Sequence, residues 1–167
     1  MKYSRCKWLT AVGLILATLE VFAGTPAGEV PLAKDLEREG RQAERACIPL
    51  LLEFSSLHCE YCTLLEDEVL KPTLLNRDYD RRVLMRKLVI DDASRLHDFD
   101  GKTIDASQLA SRYKIFVTPT LVFVDRHGKE LAERMVGVTT LEFFGGYLDQ
   151  ALDISREKLR TLNRCYD

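Results

Sequence analysis

Residues 48–54, Ile48-Pro49-Leu50-Leu51-Leu52-Glu53-Phe54, form a nearly continuous apolar run of strand length. A run of this kind is expected of a strand buried on both faces of a sheet. It leads directly to His58-Cys59-Glu60-Tyr61-Cys62, and then to Thr63–Leu70, where Leu64, Leu65, Val69 and Leu70 recur at helical spacing. Two thiols three positions apart thus stand where a buried strand passes into a helix. The free N–H groups and the positive end of a helix dipole stabilise a thiolate on the first cysteine. The second cysteine, one turn later, is within disulfide reach. A single C-x-x-C is also half of a zinc site, so the motif has to be read with the rest of the chain.

The N-terminus bears on the redox setting. Lys2, Arg5 and Lys7 precede the apolar run Trp8–Leu19, and Val21-Phe22-Ala23 supplies the small residues read by a signal peptidase. Residues 1–23 read as a secretory signal peptide cleaved near Ala23. An uncleaved membrane anchor is the competing reading, but Glu20 ends the uncharged stretch short of the roughly 18 residues that span a bilayer. No small-residue lipoprotein box accompanies Cys6. Removal of this segment moves the formal charge from −2 to −4 and the cysteine count from five to four, namely Cys47, Cys59, Cys62 and Cys165. An even count in an exported chain permits disulfides, which points to the periplasm as an oxidising compartment.

The remaining 144 residues suit one domain with a substantial core, since 46% of the whole chain is hydrophobic and 30% charged. The near-neutral charge gives no basic excess for nucleic acid. Residues 24–31, rich in Gly and Pro, read as a flexible leader, and residues 32–167 as the domain. Leu32–Ala46 carries Leu32, Ala33, Leu36 and Ala43 among charges and is expected to form an amphipathic helix. The helix after the cysteines should end or bend at Lys71-Pro72, with a short second helix through Leu74 and Leu75. Arg82–Asp91 is a second strand, and Asp92–Thr103 a polar, exposed excursion around Asp100-Gly101. Asp105 can cap a helix to Tyr113. Leu121–Val124 is a strand that a loop at Asp125–Lys129 joins to another over Glu130–Gly137, and Thr139–Asn163 closes the chain as a helix. This order predicts an α/β sandwich, a central mixed sheet flanked by helices.

Three marks together resemble the thioredoxin-fold superfamily over Leu32–Leu162. Cys59-Glu60-Tyr61-Cys62 follows a buried strand and opens a helix. Glu53 lies six residues before the first cysteine, where thioredoxins carry a buried acid. Thr118-Pro119-Thr120 precedes a strand, where the family has its cis-proline. Within the superfamily the chain is most similar to exported, single-domain bacterial thioredoxin-like proteins, including those associated with thiosulfate oxidation. It departs from the thioredoxins in having His58 before the first cysteine, where they carry Trp, and Glu60-Tyr61 between the cysteines in place of Gly-Pro.

The resemblance implies a thiol–disulfide oxidoreductase needing no organic cofactor. Cys59 is the candidate nucleophile, forming a mixed disulfide that Cys62 resolves. Glu53 would act as a proton shuttle if buried, or be an inert strand-end carboxylate if it reaches water. Thr118 and Pro119, in cis, would pair with an extended substrate; in trans they would form an ordinary turn. His58 would assist the thiolate or merely occupy an exposed position, while Glu60 and Tyr61 would tune the potential. In such a fold Cys47 and the end of the last helix lie at the pole opposite the active site, where Cys47 and Cys165 would form a structural disulfide or else remain two independent thiols, Cys47 filling core space and Cys165 on the tail.

The expected activity is reduction of disulfides in exported proteins or of a small sulfur substrate, with a membrane thiol donor restoring the dithiol. A disulfide oxidase or isomerase of the same fold is the alternative. A Cys/His metal-binding module is a further one, although no second C-x-x-C or H-x-x-x-H supplies the ligands missing from a zinc site.

Overall fold

The computed structural model describes residues 28–162. The segment expected to be a signal peptide, Cys6 and Cys165 lie outside the described residues.

Strand β1, Leu50–Ser55, is the centre of the molecule. It pairs in parallel with β2, Leu84–Val89, and antiparallel with β5, Thr120–Val124, which in turn pairs antiparallel with β6, Met135–Val136, giving the order β2-β1-β5-β6. All of β1 and β5 is buried, which explains their apolar runs: both faces of the sheet are covered. Helices α1, Leu36–Ala46, and α4, Ala106–Arg112, cover one face, packing Leu36, Ala43, Leu109 and Ala110 onto Leu50, Leu52 and Phe54. The other face carries the active-site helix and α5, Leu141–Thr161, through Leu65, Val69, Leu70, Phe144, Leu148 and Leu152.

Capping decides several helix ends. The Asp35 side chain accepts from Arg38 N at 2.9 Å and starts α1, while Cys47, at a left-handed φ of 53°, ends it. Asp105 and Gln108 form a capping box on α4. Thr140 occupies the N-cap of α5 but makes no side-chain capping bond.

Four expectations change. Helix α1 begins at Leu36 rather than Leu32, because the preceding residues pair with the sheet edge: Ala33 N donates to Lys87 O and Lys87 N to Pro31 O, both at 2.8 Å. Val30 is also buried, so the leader is held before Pro31 is reached.

The active-site helix continues through Pro72. Helix α2, Glu60–Leu65, passes into a π-helical segment, Glu66–Leu70, and then into α3, Lys71–Leu75. Pro72 stands at the start of α3, directly after the π segment, and α3 is the short helix expected through Leu74 and Leu75.

The supposed exposed excursion is a small hairpin of β3, Arg95–His97, and β4, Thr103–Asp105. It buries Leu96 in the core and Asp98, whose carboxylate takes two bonds from Arg112 at 2.9 and 2.6 Å.

Finally, Glu130–Gly137 pairs only at its ends, at Glu130–Leu131 and Met135–Val136. Between them the Arg134 side chain turns to Glu130 and to the carbonyl of Tyr113.

Candidate active site

The C-terminal end of β1 delivers Cys59 to the N-cap of α2. Its backbone is extended there, and its Sγ accepts from Cys62 N at 3.1 Å. An N-cap sulfur receives a hydrogen bond and the favourable end of the helix dipole, the two effects that stabilise a thiolate. Cys62 lies one turn inward. The two are joined by a disulfide with Cα atoms 5.2 Å apart, so the structure is the oxidised state. Cys59 is half-buried and Cys62 buried, so an approaching disulfide meets Cys59 first.

The Thr118–Pro119 peptide is cis. Ser56 Oγ lies 3.1 Å from Thr118 Oγ1, tying the loop before the cysteines to this turn. Thr120 Oγ1 donates to Val117 O at 2.7 Å and Gly137 N to Pro119 O at 2.8 Å, which holds the turn to its neighbours on both sides. Leu57 N donates to Asp91 at 2.9 Å, fixing the cysteine loop from the end of β2. His58, Glu60 and Tyr61 are exposed, as are Leu57, Phe116 and Val117.

Glu53 does not reach water. It is fully buried with no donor on either carboxylate oxygen, and the Glu66 carboxyl lies close enough to hydrogen-bond with it once it is protonated. Burial first, and the nearby Glu66 carboxylate second, push its pKa up to about 8. Lys87 and Lys71 oppose the rise, but each is held by another acid. Lys87 Nζ contacts both Glu66 oxygens, at 3.0 and 2.9 Å, and Lys71 Nζ lies 2.8 Å from Asp67 and 3.5 Å from Glu29.

Glu66 and Lys87 are the residues that the sequence reading misses. The helical spacing picks out Leu64 as inward, yet Leu64 is exposed and Glu66 is buried. The available signal was that Glu66 stands four residues after Cys62, and so on the same helix face.

Cys47 is disulfide-bonded, and the expected pairing with Cys165 involves a residue outside the described ones. Among the described residues no group of three His, Cys, Asp or Glu side chains converges on a metal position. Nor is any described helix long and apolar enough to cross a membrane.

Residues 36–152 match the family model of the thioredoxin-like domain. The chain belongs to that family. Among solved structures it is similar to an oxidoreductase, DsbH, at 18% identity and a TM-score of 0.51, covering 82% of this chain and 95% of that one. It is also similar to a thioredoxin of Malassezia sympodialis, at 16% identity and a TM-score of 0.50, covering 75% and 92%. Thioredoxin O2 of Arabidopsis thaliana in its oxidised state shares 21% identity at a TM-score of 0.48, covering 75% and 96%. No curated protein matches the chain. The family, its fold and the paired cysteines fit a thiol–disulfide oxidoreductase acting on disulfide-containing partners.

Proposed function

We propose that the protein is an exported oxidoreductase working in the reducing direction, with Cys59 attacking the substrate disulfide and Cys62 resolving the intermediate. A membrane thiol donor then restores the dithiol. The observation that carries this reading is the unequal placement of the two sulfurs: a half-buried Cys59 at a helix N-cap and a buried Cys62 beneath it on the same turn. Attack and resolution need that asymmetry. Export is supported by the basic and apolar segments of residues 1–23 and their small-residue end. The reducing direction is supported by Glu60, whose carboxylate beside Cys59 disfavours the thiolate and hence the reduced protein's stability, making the couple more reducing.

The substrate is a disulfide in an exported protein or a small sulfur compound. The exposed Leu57, Phe116 and Val117 beside the cysteines offer apolar contact to a polypeptide.

Equilibration of the purified protein against glutathione tests direction. A reductant should lie nearer to about −270 mV than to about −120 mV, the potentials of a strong reductant and a strong oxidant of this chemistry. A value at the oxidising end would reverse the assignment. In the same preparation Cys59→Ser should abolish disulfide reduction, while Cys62→Ser should accumulate mixed disulfides; equal yields of mixed disulfide from both would overturn the division of roles.

A further inference from the structure

Strand β6 closes one side of the described sheet, and its outer edge is open beside the Thr118–Pro119 turn. Val136 faces Thr120 across the β5–β6 ladder, and the next residue, Gly137, donates its N–H to Pro119 O at 2.8 Å. That bond marks Val136 and Thr120 as a non-hydrogen-bonded antiparallel pair, in which each residue turns its own N–H and C=O away from the other. On Val136 both groups therefore point to the open edge.

Each face of the sheet carries a cavity at this edge. Val136 shares a face with Thr120, and Met135 shares the opposite face with Leu121. On the Val136 side a cavity of about 200 Å³ is lined by Phe116, Val117, Thr120 and Arg134. On the Met135 side one of about 240 Å³ lies between β6 and α5, lined by Arg134, Tyr147, Ala151 and Ile154. Both are smaller than the roughly 300–1,000 Å³ of a small-molecule site, and each suits one side chain. Tyr147 and Ile154 stand two turns apart on one stripe of α5 and are exposed, although the helix already buries Phe144, Leu148 and Leu152 against the sheet.

We propose that the β6 edge is a docking site for an extended polypeptide segment flanking the substrate disulfide. The inference rests on the oxidoreductase reading above, and it selects a protein over a small sulfur compound as substrate. Added antiparallel, the residue opposite Val136 exchanges both main-chain hydrogen bonds with it and puts its side chain into the cavity on the Phe116 side. The adjacent residue points to the other face and enters the cavity against α5.

Continuity with the active site argues for this occupant. Ser56 ties the cysteine loop to Thr118 at 3.1 Å, and Gly137 ties β6 to Pro119, so the edge adjoins the surface that a disulfide must reach to meet Cys59. One main-chain pair is too little to hold a second copy of the chain strand to strand. A substrate held at Cys59 as a mixed disulfide meets the edge as an intramolecular partner, for which one such pair and two side chains suffice.

The test uses the reduced full chain with synthetic disulfide peptides in which two adjacent residues are Leu-Leu, Leu-Ser, Ser-Leu or Ser-Ser, the pair being placed in turn at each position flanking the half-cystine. A small aromatic disulfide is run beside them. At the best position the wild type should reduce the Leu-Leu peptide with a kcat/KM about tenfold or more above the Ser-Ser one. Tyr147→Ser combined with Ile154→Ser should lose about tenfold on Leu-Leu, and should lose on only one of the two mixed peptides, because adjacent side chains enter opposite faces. Val136→Pro deletes an outward N–H and no ladder bond, and should cost about threefold to tenfold on Leu-Leu. Both variants should reduce the aromatic disulfide at the wild-type rate. Equal wild-type rates on Leu-Leu and Ser-Ser at every position overturn the proposal, and that comparison holds even if a variant does not fold. Equal losses on both mixed peptides, or a matching loss on the aromatic disulfide, overturn it too. So does a wild-type dimer that Val136→Pro dissolves, since the edge would then be a contact between copies. Failure of the wild type to reduce any of these disulfides would instead sink the underlying oxidoreductase reading.

Discussion

The two faces of β1 are made from alternate residues of one six-residue strand, and they are built to different ends. Leu50, Leu52 and Phe54 enter an apolar cluster with α1 and α4, beside which the buried Glu39 of α1 holds Arg86. Leu51 begins the opposite face in the same way, but Glu53 interrupts it with a buried acid that Glu66 and Lys87 surround. Both faces are dry, so the difference is not one of exposure. On one face every β1 side chain is apolar, whereas on the other β1 itself contributes a buried acid beside the helix that carries the cysteines.

The comparison is tested most severely by truncating the apolar face. Phe54 is fully buried against Tyr113, with ring centroids 5.7 Å apart. Phe54→Ala should cost toward the upper end of about 3–5 kcal/mol in denaturant unfolding. It should leave the potential of the dithiol in place; a large change in potential would mean that the faces are not independent.

The next effect belongs to the other face and depends on pH. Because the folded Glu53 holds its proton up to about 8, against an ordinary 4.5, the native state binds more protons than the unfolded state between those values. Stability from this group is therefore fully present below the ordinary value and lost as pH rises through about 8. The loss is on the order of 5 kcal/mol if the whole shift is expressed. Glu53→Gln should flatten the curve, and unfolding midpoints at pH 5, 7 and 9 would check it. Equal slopes in the two proteins would mean that Glu53 finds a partner or water in solution.

The smallest effect sharpens the distinction between buried and exposed acids near the cysteines. Glu60 is exposed and screened, so Glu60→Gln should make the potential less negative by at most about 30 mV. If His58 dominates instead, His58→Ala will set the shift and Glu60→Gln will leave it unmoved.

What could be read from the sequence follows from how local each signal is. Cys59, Cys62, Glu53 and Pro119 sit in short stretches whose neighbours declare them: an apolar strand on one side and a helix or strand on the other. Glu66 was hidden because it is charged: it stands at regular helical spacing with Cys62, Leu65, Val69 and Leu70, but tracing the inward face through apolar residues alone picked Leu64 in its place. Lys87 was hidden for a different reason. Its closeness to Glu53 comes from parallel register between segments more than 30 residues apart, and period-two patterning within one strand carries no record of its partner. The β3–β4 hairpin was missed because its only buried apolar anchor within β3 is Leu96, and its buried Asp98 counts as polar until Arg112 is seen against it.

The short pairing of Pro31–Ala33 with Lys87 has a consequence for how the molecule behaves among its own copies. An open four-stranded sheet presents two rows of unspent backbone groups, each a template for another chain. Here the β2 row is interrupted at its middle by the molecule's own N-terminal segment, and the β6 row is only two residues long. Along these two described edges the sheet thus offers little length on which a second copy could grow a continuous sheet.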